Sequence, residues 1–91
     1  MKHAGPRALA ILEALLGQLR RLPGIVEKKP GIFYRGGRAF LHFHEDPAGL
    51  FADLKIGEDF ERFALNSAGE RNALVRAARE ALGEARPRKR S

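Results

Sequence analysis

The glycine pair Gly36-Gly37 separates two apolar runs and is the strongest constraint on how this chain folds. Both glycines can adopt positive φ, as the two-residue turns of β-hairpins require. The flanking runs, 32–35 and 38–45, are rich in the aromatic and branched residues that favour strands. The pair therefore predicts an antiparallel hairpin, whose turn fixes which residues of the two strands face each other.

Turn sequences at 46–49 and 57–59 extend this hairpin into an antiparallel meander. The predicted strands are 25–26, 32–35, 38–45, 50–56 and 60–65. Leucines recur every three or four residues in 6–22, and a capping box, Ser67 to Glu70, opens 67–84; both patterns predict helices. The expected fold class is α+β with two layers: a meander of four or five strands, flanked on one face by an N-terminal and a C-terminal helix.

The net charge of +6 belongs mostly to the C-terminal tail. Four of the 17 Lys and Arg residues lie at 86–91, and the other 13 are nearly balanced by 11 Asp and Glu. We therefore expect a single domain at 1–85 and a disordered tail that makes weak contact with nucleic acid or another polyanion. The basic residues of the tail are Arg86, Arg88, Lys89 and Arg90.

The absence of cysteine excludes disulfides and thiolate metal ligands and favours the cytoplasm. The N-terminus has no signal-peptide pattern, and the longest apolar stretch, 8–16, is too short to cross a bilayer. We therefore expect no membrane partner. The abundance of Ala, Leu, Arg, Glu and Gly is compatible with a thermophilic source.

The turns allow a pairing register to be worked out for strands 32–35, 38–45 and 50–56. In this register Phe33 faces Phe40, and His42 faces Asp53. One side of the sheet then collects the residues expected to pack on the helices: Ile32, Tyr34, Ala39, Leu41, Phe43, Leu50, Ala52, Leu54 and Ile56. An even-length third loop adds Phe63 and Leu65, whereas an odd one would bury Arg62 at much greater cost.

The opposite side of the sheet is expected to be a binding surface. It carries four phenylalanines, Phe33, Phe40, Phe51 and Phe60, and four cations, Arg35, Arg38, Lys55 and Arg62. Because so much apolar area is unusual on a small monomer, the surface should be covered by a partner, and a second copy of the chain is favoured. The alternative is a nucleic acid, with Phe33, Phe40 and Phe51 stacking on bases and the cations contacting phosphates.

Two of the three histidines lie on the same surface, at positions 42 and 44. With Asp53 opposite His42, the trio could bind a divalent metal or support acid–base catalysis. It could equally be a cross-strand polar pair beside a second histidine. The common nucleotide-binding and hydrolase motifs, such as the P-loop and G-x-S-x-G, are absent. A non-enzymatic role without a cofactor is therefore favoured, and the metal- or histidine-dependent enzyme ranks last.

The order Leu22-Pro23-Gly24, Gly37-Arg38 and His42-Phe43-His44-Glu45-Asp46 resembles the small bacterial "luciferase domain" family of unknown function. The resemblance covers about 25 residues, without the glycines and the tryptophan-bearing segment typical of that family, and it implies no activity. The layout helix, meander, helix also resembles the MmcQ/YjbR-like domains, for which DNA binding has been suggested; this resemblance rests on layout and not on a motif. The expectation from the sheet surface itself is a homodimeric ligand-binding or interaction module that uses this surface.

Overall fold

The computed structural model describes residues 2–83, and their fold is the expected two-layer α+β arrangement. Two short helices, α1 (Pro6–Ile11) and α2 (Glu13–Arg20), replace the single helix predicted at 6–22. Leu12 separates them, with φ −94° and ψ 11°. The third helix, α3, spans Ala68–Gly83 and begins with the predicted capping box, since Ser67 Oγ accepts the Glu70 N–H at 3.1 Å. The tail at 86–91 lies outside the described residues.

Six antiparallel strands form one sheet. Five of them, β2 to β6, pair in sequence order as the predicted meander, and the sixth, β1, was not predicted and pairs with β4. The strands are β1 (Lys2–His3), β2 (Val26–Lys29), β3 (Ile32–Arg35), β4 (Arg38–Asp46), β5 (Gly49–Ile56) and β6 (Asp59–Ala64). Because β4 is longer than β3, the end of β4 that extends past β3 can accept β1.

The hairpin between β4 and β5 has the register derived from the sequence. Phe43 pairs with Ala52 and His42 pairs with Asp53, although the connecting loop is two residues rather than four because Asp46 also pairs with Gly49. The third loop is even, since Ile56 pairs with Asp59, and Phe63 packs against the core as expected. The sheet face opposite the helices is therefore correctly predicted for β5 and for the part of β4 that pairs with it, residues 41–46.

The register between β3 and β4 differs from the prediction by a β-bulge. Gly36 and Gly37 adopt φ of 57° and 85°, as a hairpin turn requires, and Arg35 pairs with Arg38. Beyond Tyr34–Ala39, however, Phe33 pairs with Leu41 instead of Phe40, so that Phe40 is the extra residue. The bulge reverses the two faces of β3 relative to β4.

The core shows why the bulge is favourable. Phe33 and Phe40 are 1% and 2% exposed and belong to the buried cluster between sheet and helices, together with Phe43. Burying a phenylalanine side chain is worth about 1.5–3 kcal/mol, so enclosing both rings favours the bulged pairing. Ile32 and Tyr34, predicted to lie in the core, are instead half-buried. None of the helices in residues 2–83 is long and apolar enough to span a lipid bilayer.

Candidate metal centre

The sheet face opposite the helices, called the open face below, is smaller and less aromatic than the sequence predicted. Phe33 and Phe40 are not on it, because they lie in the core. Arg35 also leaves it, since the reversed β3 directs its guanidinium to the carbonyl oxygens of Ala81 and Leu82 near the end of α3, both at 3.4 Å. Of the eleven residues expected on the binding surface, the structure brings four polar ones together: His42, His44, Asp53 and Arg62.

Strand β1 adds the third histidine to this face. His3 pairs with His44, and its ring centre lies 5.2 Å from that of His44 and 6.1 Å from that of His42. One nitrogen from each of the three imidazoles lies within 4.8 Å of the other two. His3, His42 and His44, called the histidine cluster below, thus bring every histidine of the chain to one point.

The position of β1 depends on two backbone contacts that no sequence pattern indicates. The Ala4 N–H donates to the carbonyl oxygen of Phe43 at 3.0 Å, and the Gly5 N–H donates to the Glu45 carboxylate at 2.6 Å. Glu45 was expected only at a strand end, yet it anchors the segment that places His3. A two-residue strand is too short for an alternation signal, and so His3 could not be assigned to the site from the sequence.

His42 and His44 contact each other through a hydrogen bond between their rings, whose length is close to the separation of two nitrogens bound to one metal ion. His42 Nδ1 lies 3.0 Å from His44 Nε2, and the rings meet edge to face. Two nitrogens bound tetrahedrally to one zinc ion at 2.0–2.1 Å are about 3.3 Å apart. A small outward movement of the two rings would therefore admit a metal ion between them.

His42 is suited to act as a ligand near neutral pH. Burial lowers the pKa of His42, and the nearby His44 lowers it further, so the imidazole keeps the lone pair that a metal requires. The His42 ring also packs against Phe60, with ring centres 4.9 Å apart. This contact restricts the orientation of the imidazole.

Asp53 lies beside the histidine cluster and is held by Arg62. Its Oδ2 is 3.2 Å from His44 Nε2, while both carboxylate oxygens accept hydrogen bonds from Arg62, at 2.8 and 2.9 Å. The Arg62 hydrogen bonds lower the pKa of Asp53, which keeps the carboxylate ionised at neutral pH. The ligand atoms that converge are thus those of the three histidines. Asp53, which the sequence predicts as a member of the site, lies beside the histidine cluster as a negative charge.

His44 has one polar atom without a partner in the described part of the chain. Both of its contacts use Nε2, whereas Nδ1 is buried and accepts no hydrogen bond from residues 2–83. A buried imidazole nitrogen without a partner is unfavourable. Because the contacts with His42 and Asp53 use Nε2, a metal bound at that nitrogen would leave Nδ1 unchanged.

The remaining expected residues are not part of this centre. Phe51 is half-buried on the open face, and Lys55 lies further along β5, with its Nζ 5.9 Å from the Phe60 ring centre. Arg38 is exposed at the start of β4. With Phe33 and Phe40 enclosed, two of the three rings expected to stack on nucleic-acid bases are inaccessible.

Comparison with known proteins adds no assignment. A scan against protein-family models, a search of curated proteins and a search of solved structures each found no match. The resemblance to the "luciferase domain" family stays a prediction.

Proposed function

We propose that this chain is a ligand-binding module whose open sheet face binds a divalent transition-metal ion through His3, His42 and His44. The observation that carries the proposal is the convergence of one nitrogen from each histidine within 4.8 Å. Three imidazoles suit zinc, copper, nickel or cobalt better than the oxygen-preferring calcium or magnesium. Zinc is the natural probe, because it accepts nitrogen ligands and undergoes no redox change.

The charges around the centre support a bound cation. Asp53 supplies a negative charge beside His44, and Arg62 fixes that carboxylate through two hydrogen bonds. Asp53 approaches His44 through Nε2, the same nitrogen that contacts His42, so its contribution is a fixed negative charge that favours a nearby cation. Asp53 and Arg62 would therefore act through the charge next to the site, while the histidines contact the metal.

The proposed site lies on the sheet surface predicted from the sequence, where His42, His44 and Asp53 were considered as metal ligands. The third ligand is different. His3 replaces Asp53 in the converging set, so the proposal no longer needs a ligand that Arg62 already neutralises. Nucleic-acid binding is not favoured on this face because Phe33 and Phe40 are enclosed. Association of two chains through Phe51 and Phe60 stays compatible with metal binding.

Isothermal titration calorimetry with zinc on the untagged full chain tests the proposal. We expect one zinc ion per chain, and loss of stoichiometric binding in His42→Gln. Asp53→Asn should still bind one ion, with a lower affinity because a negative charge next to the site is lost. Lys28→Gln, an exposed change on β2, is the control and should bind as the wild type does.

Two results would contradict the proposal. The first is the absence of stoichiometric zinc binding by the folded wild type. The second is full loss of binding in Asp53→Asn together with retention in His42→Gln, because that pattern would place the carboxylate and not the imidazole on the metal. Circular dichroism of each variant separates a lost ligand from a lost fold.

A further inference from the structure

A concave site separate from the histidine cluster lies at the end of the sheet where the β3–β4 and β5–β6 hairpins meet. Its cavity measures about 330 Å³, near the lower end of the roughly 300–1,000 Å³ typical of small-molecule sites. Three of its lining side chains are cationic: Arg35, Arg38 and Lys55. This cavity, called the cationic pocket below, shares no residue with the histidine cluster.

The charges of the cationic pocket are not balanced by the described part of the chain. None of the lining side chains is acidic, and the ion pairs found in residues 2–83 involve none of the three cations. Arg35 and Arg38 are moreover direct cross-strand partners, an arrangement in which like charges destabilise a hairpin. An unfavourable pair of like charges such as this is expected mainly at functional sites.

Arg35 is held in place before any ligand binds, and Lys55 lies near an aromatic ring. The Arg35 guanidinium donates to the Ala81 and Leu82 carbonyl oxygens and lies 5.8 Å from the centre of the buried Phe40 ring. Lys55 Nζ lies 5.9 Å from the centre of the Phe60 ring. Holding Arg35 in place reduces the conformational entropy lost on binding, because that side chain does not have to be ordered by the ligand.

We propose that the cationic pocket binds a small phosphate-bearing ligand. Arginine side chains present several N–H donors in a planar fork that matches phosphate oxygens, and lysine adds a compact positive charge. Three cations that line one cavity suit a phosphate monoester, which carries a charge of about −1.5 to −2 near pH 7, or the more highly charged diphosphate. The volume suits such a group attached to a small body rather than a dinucleotide.

The test is an NMR titration of the 15N-labelled, untagged full chain with inorganic pyrophosphate. Metal is removed beforehand by dialysis, because pyrophosphate chelates zinc. We expect saturable shifts at the amides that border the pocket, those of Arg38, Ala39, Phe40 and Gly57. The double variant Arg38→Gln/Lys55→Gln should weaken binding at least about tenfold for each cation removed. Arg35 is left unchanged because it also contacts α3.

Matched controls distinguish a site from a general effect of charge. Lys29→Gln/Arg76→Gln removes two exposed cations elsewhere and should bind pyrophosphate as the wild type does. An equal loss in this control, shifts that do not saturate, or tighter binding of citrate would overturn the proposal. So would binding of a thymidine oligonucleotide at the pocket without binding of pyrophosphate. Because Arg38→Gln/Lys55→Gln keeps all three histidines, its zinc affinity should be unchanged, and the two proposals can fail independently.

Discussion

Replacing His3 with glutamine should remove the stabilisation by zinc without disturbing the metal-free fold. His3 is exposed, and its strand is held by backbone hydrogen bonds and by the contact between Gly5 and Glu45, all of which survive the change. Surface substitutions of this type usually alter the free energy of unfolding by less than about 0.5 kcal/mol. The metal-free variant should therefore unfold at nearly the wild-type temperature.

The expected effect of zinc on the wild type follows from mass action. At a free zinc concentration of about 100 times Kd, binding to the native state adds about 2.7 kcal/mol to the free energy of unfolding. For a domain of this size, about 4–8 °C per kcal/mol gives a rise in Tm of about 11–22 °C. If loss of one ligand weakens binding at least about 100-fold, the same zinc concentration stabilises His3→Gln by about 0.4 kcal/mol or less.

Differential scanning fluorimetry or calorimetry with and without zinc measures the zinc-dependent rise in Tm of the wild type and of His3→Gln. Lys2→Gln is the matched control, because it changes the neighbouring residue of the same two-residue strand, which pairs with Glu45. The control should show the full zinc-dependent rise in Tm. A rise in His3→Gln equal to that of the wild type would refute the argument that β1 delivers a ligand.

Three further predictions concern the fold, the pH response and association. Phe33→Ala should lower the free energy of unfolding in urea by about 3–5 kcal/mol and the exposed Phe60→Ala by much less; similar small losses would contradict the bulged register. The Arg20 hydrogen bond lowers the pKa of Glu27 below its ordinary 4.5, so Glu27 stabilises the fold above that pH and the contribution is lost as pH falls through the folded-state pKa. In Glu27→Gln this loss of stability at acid pH should be absent. If the variant loses as much stability on acidification as the wild type, the ion pair is not the source of the loss. Homodimerisation through the open face stays a prediction: light scattering should show a dimer that Phe60→Glu converts to monomer, and a wild-type monomer would contradict it.

The parts of the fold that the sequence predicts are those set by turn chemistry and strong apolar patterns. The β4–β5 pairing follows from the turn at 46–49, which places His42 opposite Asp53. The capping box at Ser67 and Glu70 fixes the start of α3. In both cases the signal lies within a few residues, so no knowledge of distant contacts is needed.

The errors arise where distant packing decides between local alternatives. The bulge at Phe40 has no glycine or proline to indicate it, and it forms because the helix layer can enclose both Phe33 and Phe40. Strand β1 is too short for a pattern and depends on contacts with Phe43 and Glu45 some forty residues away along the chain. The two errors have opposite consequences: the bulge removes aromatic rings from the open face, and β1 adds the imidazole that completes the histidine cluster.

X-ray absorption at the zinc edge, on the untagged full chain loaded with one zinc ion, tests the central claim most directly. The structure predicts a first coordination shell with three imidazole nitrogens at about 2.0–2.1 Å and a light atom as the fourth ligand. In His3→Gln the number of imidazoles should fall to two. A wild-type shell with fewer than three imidazoles, or the same shell in the variant, would contradict the claim that the fold brings His3, His42 and His44 together around one metal ion.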